Sequence, residues 1–184
     1  MAPRTVASPL RAIVSAVALL AVVYGTSPVW AGNPAEAYAE LARPMIPILE
    51  KALAEEKEFV RIHAAEALVE HGVTASVVEV FGREAEAAPP IQRVGVWRTL
   101  AAASSAKERA KWVARLREVM LTPGLSDRIH AAESLAKLGV SLPDDRAAID
   151  ELARNSSKAH SCHAIWLLAL SGDATAEGRL CELL

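Results

Sequence analysis

The octapeptide RIHAAEAL at residues 61–68 returns as RIHAAESL at residues 128–135, 67 positions later. Setting the same frame halfway between them gives RVGVWRTL at 93–100. Continuing past the second copy gives SCHAIWLL at 161–168, so successive copies stand 32, 35 and 33 residues apart. Gly72, Gly139 and Gly172 each lie eleven residues after the first position of their copy, where a glycine closes a helix, and the second copy has Ser104 there. A period of this length with helical content predicts a stack of helix pairs, not a globule around one enclosed active site.

Each repeat reads as an outer helix followed by an inner one. The pairs are 43–54 with 58–71, 75–87 with 91–103, 106–121 with 126–138, and 144–155 with 158–170. Pro89 and Pro90 open the second inner helix, as prolines do at a first turn. Pro123 and Gly124 break the third pair, and Ser126 or Asp127 is expected to cap the helix that follows. Residues 33–41 add a leading cap, and 174–184 begin a fifth outer helix. No alternating stretch long enough for a strand interrupts the pattern. The expected fold is therefore all-α, an α-solenoid of stacked antiparallel helix pairs. Its four repeats fall at 43–72, 74–104, 106–139 and 144–172, with 174–184 as a partial fifth repeat or cap, or as the place where a longer array is cut.

The chain opens with Arg4 and Arg11 around the apolar run 12–23, followed by GTSPVWA before Gly32. That order predicts a secretory signal peptide over residues 1–31, cleaved after Ala31, because the run is short of the ~20 residues a spanning helix needs. An uncleaved anchor is the alternative. Removing residues 1–31 takes away two of the 20 basic side chains and none of the 22 acidic ones, leaving 18 against 22. With no basic excess and no lysine or arginine block, nucleic acid is not an expected partner, nor is an anionic membrane surface. No membrane span remains after cleavage. In an oxidising periplasmic or extracellular space a disulfide between Cys162 and Cys181 is permitted. The competing reading of Cys162 is a small apolar side chain in the position held by Ile62, Val94 and Ile129.

The segments VRIHAAEALVEHG, DRIHAAESLAKLG and ALSGDATAEGRLCELL resemble the HEAT-like repeats first described in phycobilin lyases, whose inner helix carries a Val-Arg opening, a double alanine, a leucine and a closing Gly-Asp. The resemblance covers the chain beyond the signal peptide and implies architecture rather than activity, since such repeats serve as scaffolds, binding surfaces and, in a few families, enzymes. The second copy departs from it at Gly95, Trp97 and Arg98, and the fourth lacks the arginine. Deoxyhypusine hydroxylases of this superfamily bind iron through His-Glu pairs. This chain has no His-Glu dipeptide, so those ligands do not carry over, and the match to the lyases is to the repeat, not to a catalytic residue.

On the first inner helix, Val60, Ala64, Leu68 and His71, with Ala65 beside them, form the stripe expected to pack. His63, Glu66 and Glu70 lie on another face, the one that lines the concave surface of such a stack. Across the repeats this face gives two columns: His63, Gly95, His130, His163, and Glu66, Arg98, Glu133, Trp166. The second alternates in charge, as an inter-repeat ion-pair ladder does. Arg61, Arg93 and Arg128 are expected to pair with acids of adjacent turns, and Trp97 is assigned to the core. Trp166 is either covered by the fifth helix or an exposed aromatic anchor. His130, Glu133 and His163 are a weak alternative metal site, because inner helices some 8–10 Å apart make convergence a stretch. No cofactor and no catalytic residue is expected. The functional expectation is a non-enzymatic scaffold that binds a protein partner through His63, Glu66, Arg98, His130, Glu133, His163 and Trp166. The alternative is an accessory subunit or fragment of an extracytoplasmic enzyme that contributes a substrate or metal site.

Overall fold

The structure, a computed structural model, describes residues 40, 41 and 43–183. The signal-peptide and cleavage expectations, and most of the leading cap at 33–41, lie outside them. A short 3-10 turn, Arg43–Met45, leads into α1 (Ile46–Glu55) and α2 (Glu58–Glu70). Then come α3 (Ala75–Glu84), α4 (Pro90–Ala103), α5 (Ala106–Leu121) and α6 (Arg128–Lys137). A second 3-10 turn, Pro143–Asp145, precedes α7 (Arg146–Asn155), α8 (Lys158–Leu170) and α9 (Ala176–Cys181). Among the described residues every regular element is helical. Two predicted helices, 106–121 and 158–170, match the observed bounds, whereas α3 stops three residues early and the predicted fifth helix shortens to α9.

Within the compact unit Pro44–Leu184 the helices pack in succession. Each odd-numbered helix from α1 to α7 lies against the even-numbered helix that follows it, and α2 packs on α4, α4 on α6, and α6 on α8. The double alanines explain how the inner helices meet. Ala64 and Ala65 on α2, and Ala131 and Ala132 on α6, are buried, as are Leu68, Leu135 and Leu168 at one shared repeat position. Ile62 is buried as well, while Val60 and His71 of the expected packing stripe are exposed, so the stripe is rotated from its predicted place. Gly95 accounts for the odd second copy. A Cβ there would lie 3.0 Å from two side-chain carbons of Ile62, so a larger residue at this position would require Ile62 to shift.

Three inner helices end in the same way. Gly72, Gly139 and Gly172 have φ of 77°, 67° and 84°, the left-handed conformation that closes a helix at least cost for glycine. The next amide then donates back to the shared leucine: Val73 to Leu68 at 2.9 Å, Val140 to Leu135 at 3.0 Å and Asp173 to Leu168 at 3.0 Å. α4, with Ser104 at the glycine position, instead runs out in extended backbone (φ −102°, ψ 164°).

Because Ala131 is fully buried at a helix–helix contact, Ala131→Phe is expected to overpack it and lower stability by about 1–3 kcal/mol. An unchanged midpoint in urea denaturation would contradict this packing.

Candidate binding face of the inner helices

The arginines that open the inner helices act on helix ends before they act on acids. Arg61 Nε donates to the Leu53 carbonyl at 2.9 Å and Arg128 Nε to the Met120 carbonyl at 2.8 Å, each eight residues back. These carbonyls lie near the C-termini of α1 and α5, where helix geometry leaves acceptors without a partner in the helix. In the second repeat the carbonyl eight residues before Arg93 is that of Ala85, and the Trp97 indole N–H takes it at 2.9 Å. Trp97 is buried as expected, with a polar task added. Arg93 makes no such carbonyl contact and donates twice to Asp127, at 2.7 and 3.1 Å.

Two expectations are corrected by these contacts. The acids lie in the following repeat and not in adjacent turns: Arg61 also forks onto Glu84 at 2.9 and 2.8 Å, and Arg93 onto Asp127. Asp127 is buried and makes no side-chain cap of α6, because both its oxygens face Arg93, and Ser126 lies outside the helix.

The charged column resolves into one ion pair and one local cluster. Arg98 donates to Glu66 through Nε at 2.7 Å and through Nη2, and reaches Ser134 Oγ at 3.2 Å, so it ties three successive inner helices together. Its side chain is 14% exposed. Glu66 also faces His63 Nδ1 at 3.0 Å. The ladder does not continue to Glu133, whose carboxylate takes Lys137 at 2.8 Å and His130 Nδ1 at 3.5 Å within its own helix. Burial pushes the Glu133 carboxyl up, but Lys137's hydrogen bond and charge, with His163 and Arg98, outweigh it and hold the group below the ordinary glutamate range. His163 is held below the ordinary histidine range, chiefly by burial; the neighbouring His130, His160 and Lys137 add to this against the attraction of Glu133.

Trp166 is 38% exposed, so it is not fully covered, and Leu170 one turn on is equally exposed. Phe59 and Ile91, which share one repeat position at the N-terminal ends of α2 and α4, are also exposed, Ile91 at 70%. The sequence reading missed Phe59, Ile91 and Leu170, although one extra column in the repeat frame holds the first two. It also missed His160, whose ring lies 5.9 Å from His130 and 6.4 Å from His163. As the side chains stand, no group of three or more histidine, cysteine, aspartate or glutamate residues among the described residues is arranged to hold a metal ion. Cys162 and Cys181 are free thiols and do not form the permitted disulfide; Cys162 is half-buried and its thiol contacts the Ala159 carbonyl at 3.1 Å. No helix among the described residues is long and apolar enough to cross a membrane. No protein-family model, curated protein or solved structure matches the chain.

Removing Arg93 leaves the Asp127 carboxylate buried without its cation, so Arg93→Ala is expected to cost about 3 kcal/mol. Arg83→Ala, at an exposed i,i+4 pair with Glu79, should change little. Equal denaturation midpoints for the two variants would remove the buried pair from the account.

The pH dependence has a fixed sign. His163 titrates below its unfolded value of about 6.5, so unfolding takes up a proton in that range and stability falls as pH drops through it. Glu133 titrates below its own unfolded value, so its contribution is complete above about 4.3 and is lost further into acid. Denaturation curves of His163→Gln should lack the first decline and keep the second; a wild-type decline near neutrality that survives in His163→Gln would assign it elsewhere.

Proposed function

We propose that the chain is an exported α-solenoid of HEAT-like repeats that binds a protein partner through the concave face of its inner helices, making and breaking no bond. The observation that carries this reading is the exposed pair Trp166 and Leu170 on α8. In the frame of the repeat Trp166 takes the position of Glu66, Arg98 and Glu133, and Leu170 that of Glu70, Ala102 and Lys137. A large aromatic left partly exposed, beside an exposed leucine, is the kind of side chain that supplies binding energy when a partner desolvates it. Phe59 and Ile91 add apolar surface on α2 and α4.

The charged members of the column contribute differently. Glu66 and Arg98 hold the inner helices to one another, so changing either acts on stability as well as on binding. His63 and His130 are exposed and available to a partner, whereas Glu133 is engaged by Lys137. Export rests on the order of residues 1–31, a basic start, an apolar run and small residues before Gly32.

Trp166→Ala should weaken binding to the natural partner by about 30-fold, the equivalent of ~2 kcal/mol, with the circular dichroism spectrum and melting temperature nearly unchanged. Retained affinity in Trp166→Ala, with loss on substitution of exposed outer-helix residues such as Val78, would place the interface on the other side. Amino-terminal sequencing of the exported protein is expected to begin at Gly32; a start at Met1 in a soluble cell fraction would remove the export reading.

A further inference from the structure

The junctions between successive inner helices are held in two different ways. Between α2 and α4, Arg98 Nε donates to Glu66 at 2.7 Å. Between α4 and α6, Arg93 takes Asp127, which immediately precedes α6, at 2.7 and 3.1 Å, and Arg98 reaches Ser134 at 3.2 Å. The junction of α6 with α8 is different. α8 reads KAHSCHAIWLLAL and contains no arginine, aspartate or glutamate; its one permanent charge, Lys158, is exposed in the first turn. Ser161 stands where the other repeats have arginine, and its hydroxyl donates to the Lys158 carbonyl of its own helix at 2.9 Å. What α8 sets beside α6 is imidazole. The His160 ring centroid lies 5.9 Å from that of His130 on α6 and 6.4 Å from that of His163, one turn on.

The charges around these rings decide how the junction responds to acid. On His163 act Glu133, His130 and Lys137 from α6 and His160 from α8 itself. Glu133 is already engaged by Lys137 at 2.8 Å, so each proton added to the rings joins a surplus of positive charge. The helices α7 and α9 also pack on α8, but their charges meet one another: Asp150 takes Arg179 at 2.8 Å and Arg154 at 3.1 Å. Asp173, in the turn after α8, takes Arg146 at 3.5 Å. Arg117 ties α5 to the turn before α7 by donating to Asp145 at 2.5 and 2.8 Å, and its hydrogen bond holds that carboxyl below the ordinary aspartate range. Between about pH 7 and 5, then, the arginine pairs keep their charge and imidazole is the group that changes.

We propose that the α6–α8 junction is a pH-sensitive joint: as its imidazoles gain protons in mild acid, the last helix pair, α7 with α8, loosens from α6 while the arginine-held junctions stay closed. A repeat in a stack is held only by its neighbours, and an end repeat has one. Opening such a unit takes less free energy than unfolding the whole chain. His163 is half-buried and resists protonation while the joint is closed, chiefly through burial. The bias towards opening is therefore absent above about pH 6.5, the value of a free imidazole, and grows below it, by roughly tenfold one pH unit lower for a ring that stays neutral when closed. This places the acid response of His163 in one segment of the chain. It stands apart from the partner-binding reading, because no second protein is required.

Hydrogen–deuterium exchange of the purified chain, read by peptide mass spectrometry at about pH 7.5 and about pH 5.5 and corrected for the chemical exchange rate, tests the joint. Peptides of α8 are expected to lose roughly tenfold in protection at the lower pH, and those of α2 and α4 to change little. His163→Gln should keep α8 protected. His160→Gln, at an exposed position, removes one of the neighbouring charges and should reduce the loss, whereas His63→Gln should behave as the parent does. The circular dichroism spectrum near neutral pH checks that each variant folds. Unchanged protection of α8, an equal loss in every helix, or a loss undiminished in either His163→Gln or His160→Gln would overturn the proposal.

Discussion

Close approach of the inner helices is the constraint from which the rest of this structure follows. Each inner helix has to pack on its own outer helix and on the inner helices before and after it, and large side chains on every face would hold these apart. The sequence meets the demand with alanine pairs at 64–65 and 131–132 and with Gly95, where even a β-carbon would press on Ile62. A glycine inside a helix costs about 1 kcal/mol relative to alanine. At the α2–α4 contact it lets the helices meet without displacing Ile62.

Helices brought this close bury their own ends, and buried carbonyls need donors. Arginine supplies them in the first and third repeats and tryptophan in the second, so two unlike residues do one job at equivalent helix ends. The exchange then propagates. Where Trp97 satisfies Ala85, Arg93 directs its Nε and Nη2 donors at Asp127, and Asp127 makes no side-chain cap of α6. A departure from the repeat at Trp97 thus goes with changed partners for Arg93 in the same repeat and for Asp127 in the next.

The same economy limits what the candidate face can offer a partner. Arg98 is spent on Glu66 and Ser134, and Glu133 on Lys137, so the alternating column that reads as a row of recognition charges is largely internal wiring. Phe59, Ile91, Trp166 and Leu170 remain open, with His63, His130 and His160 and the charged Glu70 and Lys137.

The sequence by itself determined the helices and three glycine stops, because these depend on local periodicity and on φ values that only certain residues adopt cheaply. It also placed Trp97 in the core, since alanines occupy the matching positions of two other repeats. Tertiary structure alone decided which partner each polar group found. Arg93 reaches Asp127 34 residues away, and His160 joins His130 across two helices, through distances that no spacing along one helix encodes. It decided the exposure of Trp166 as well, because whether a short terminal helix covers a ring depends on how that helix lies. Local rules fix what a segment becomes; the packing of one segment on another fixes what its side chains meet.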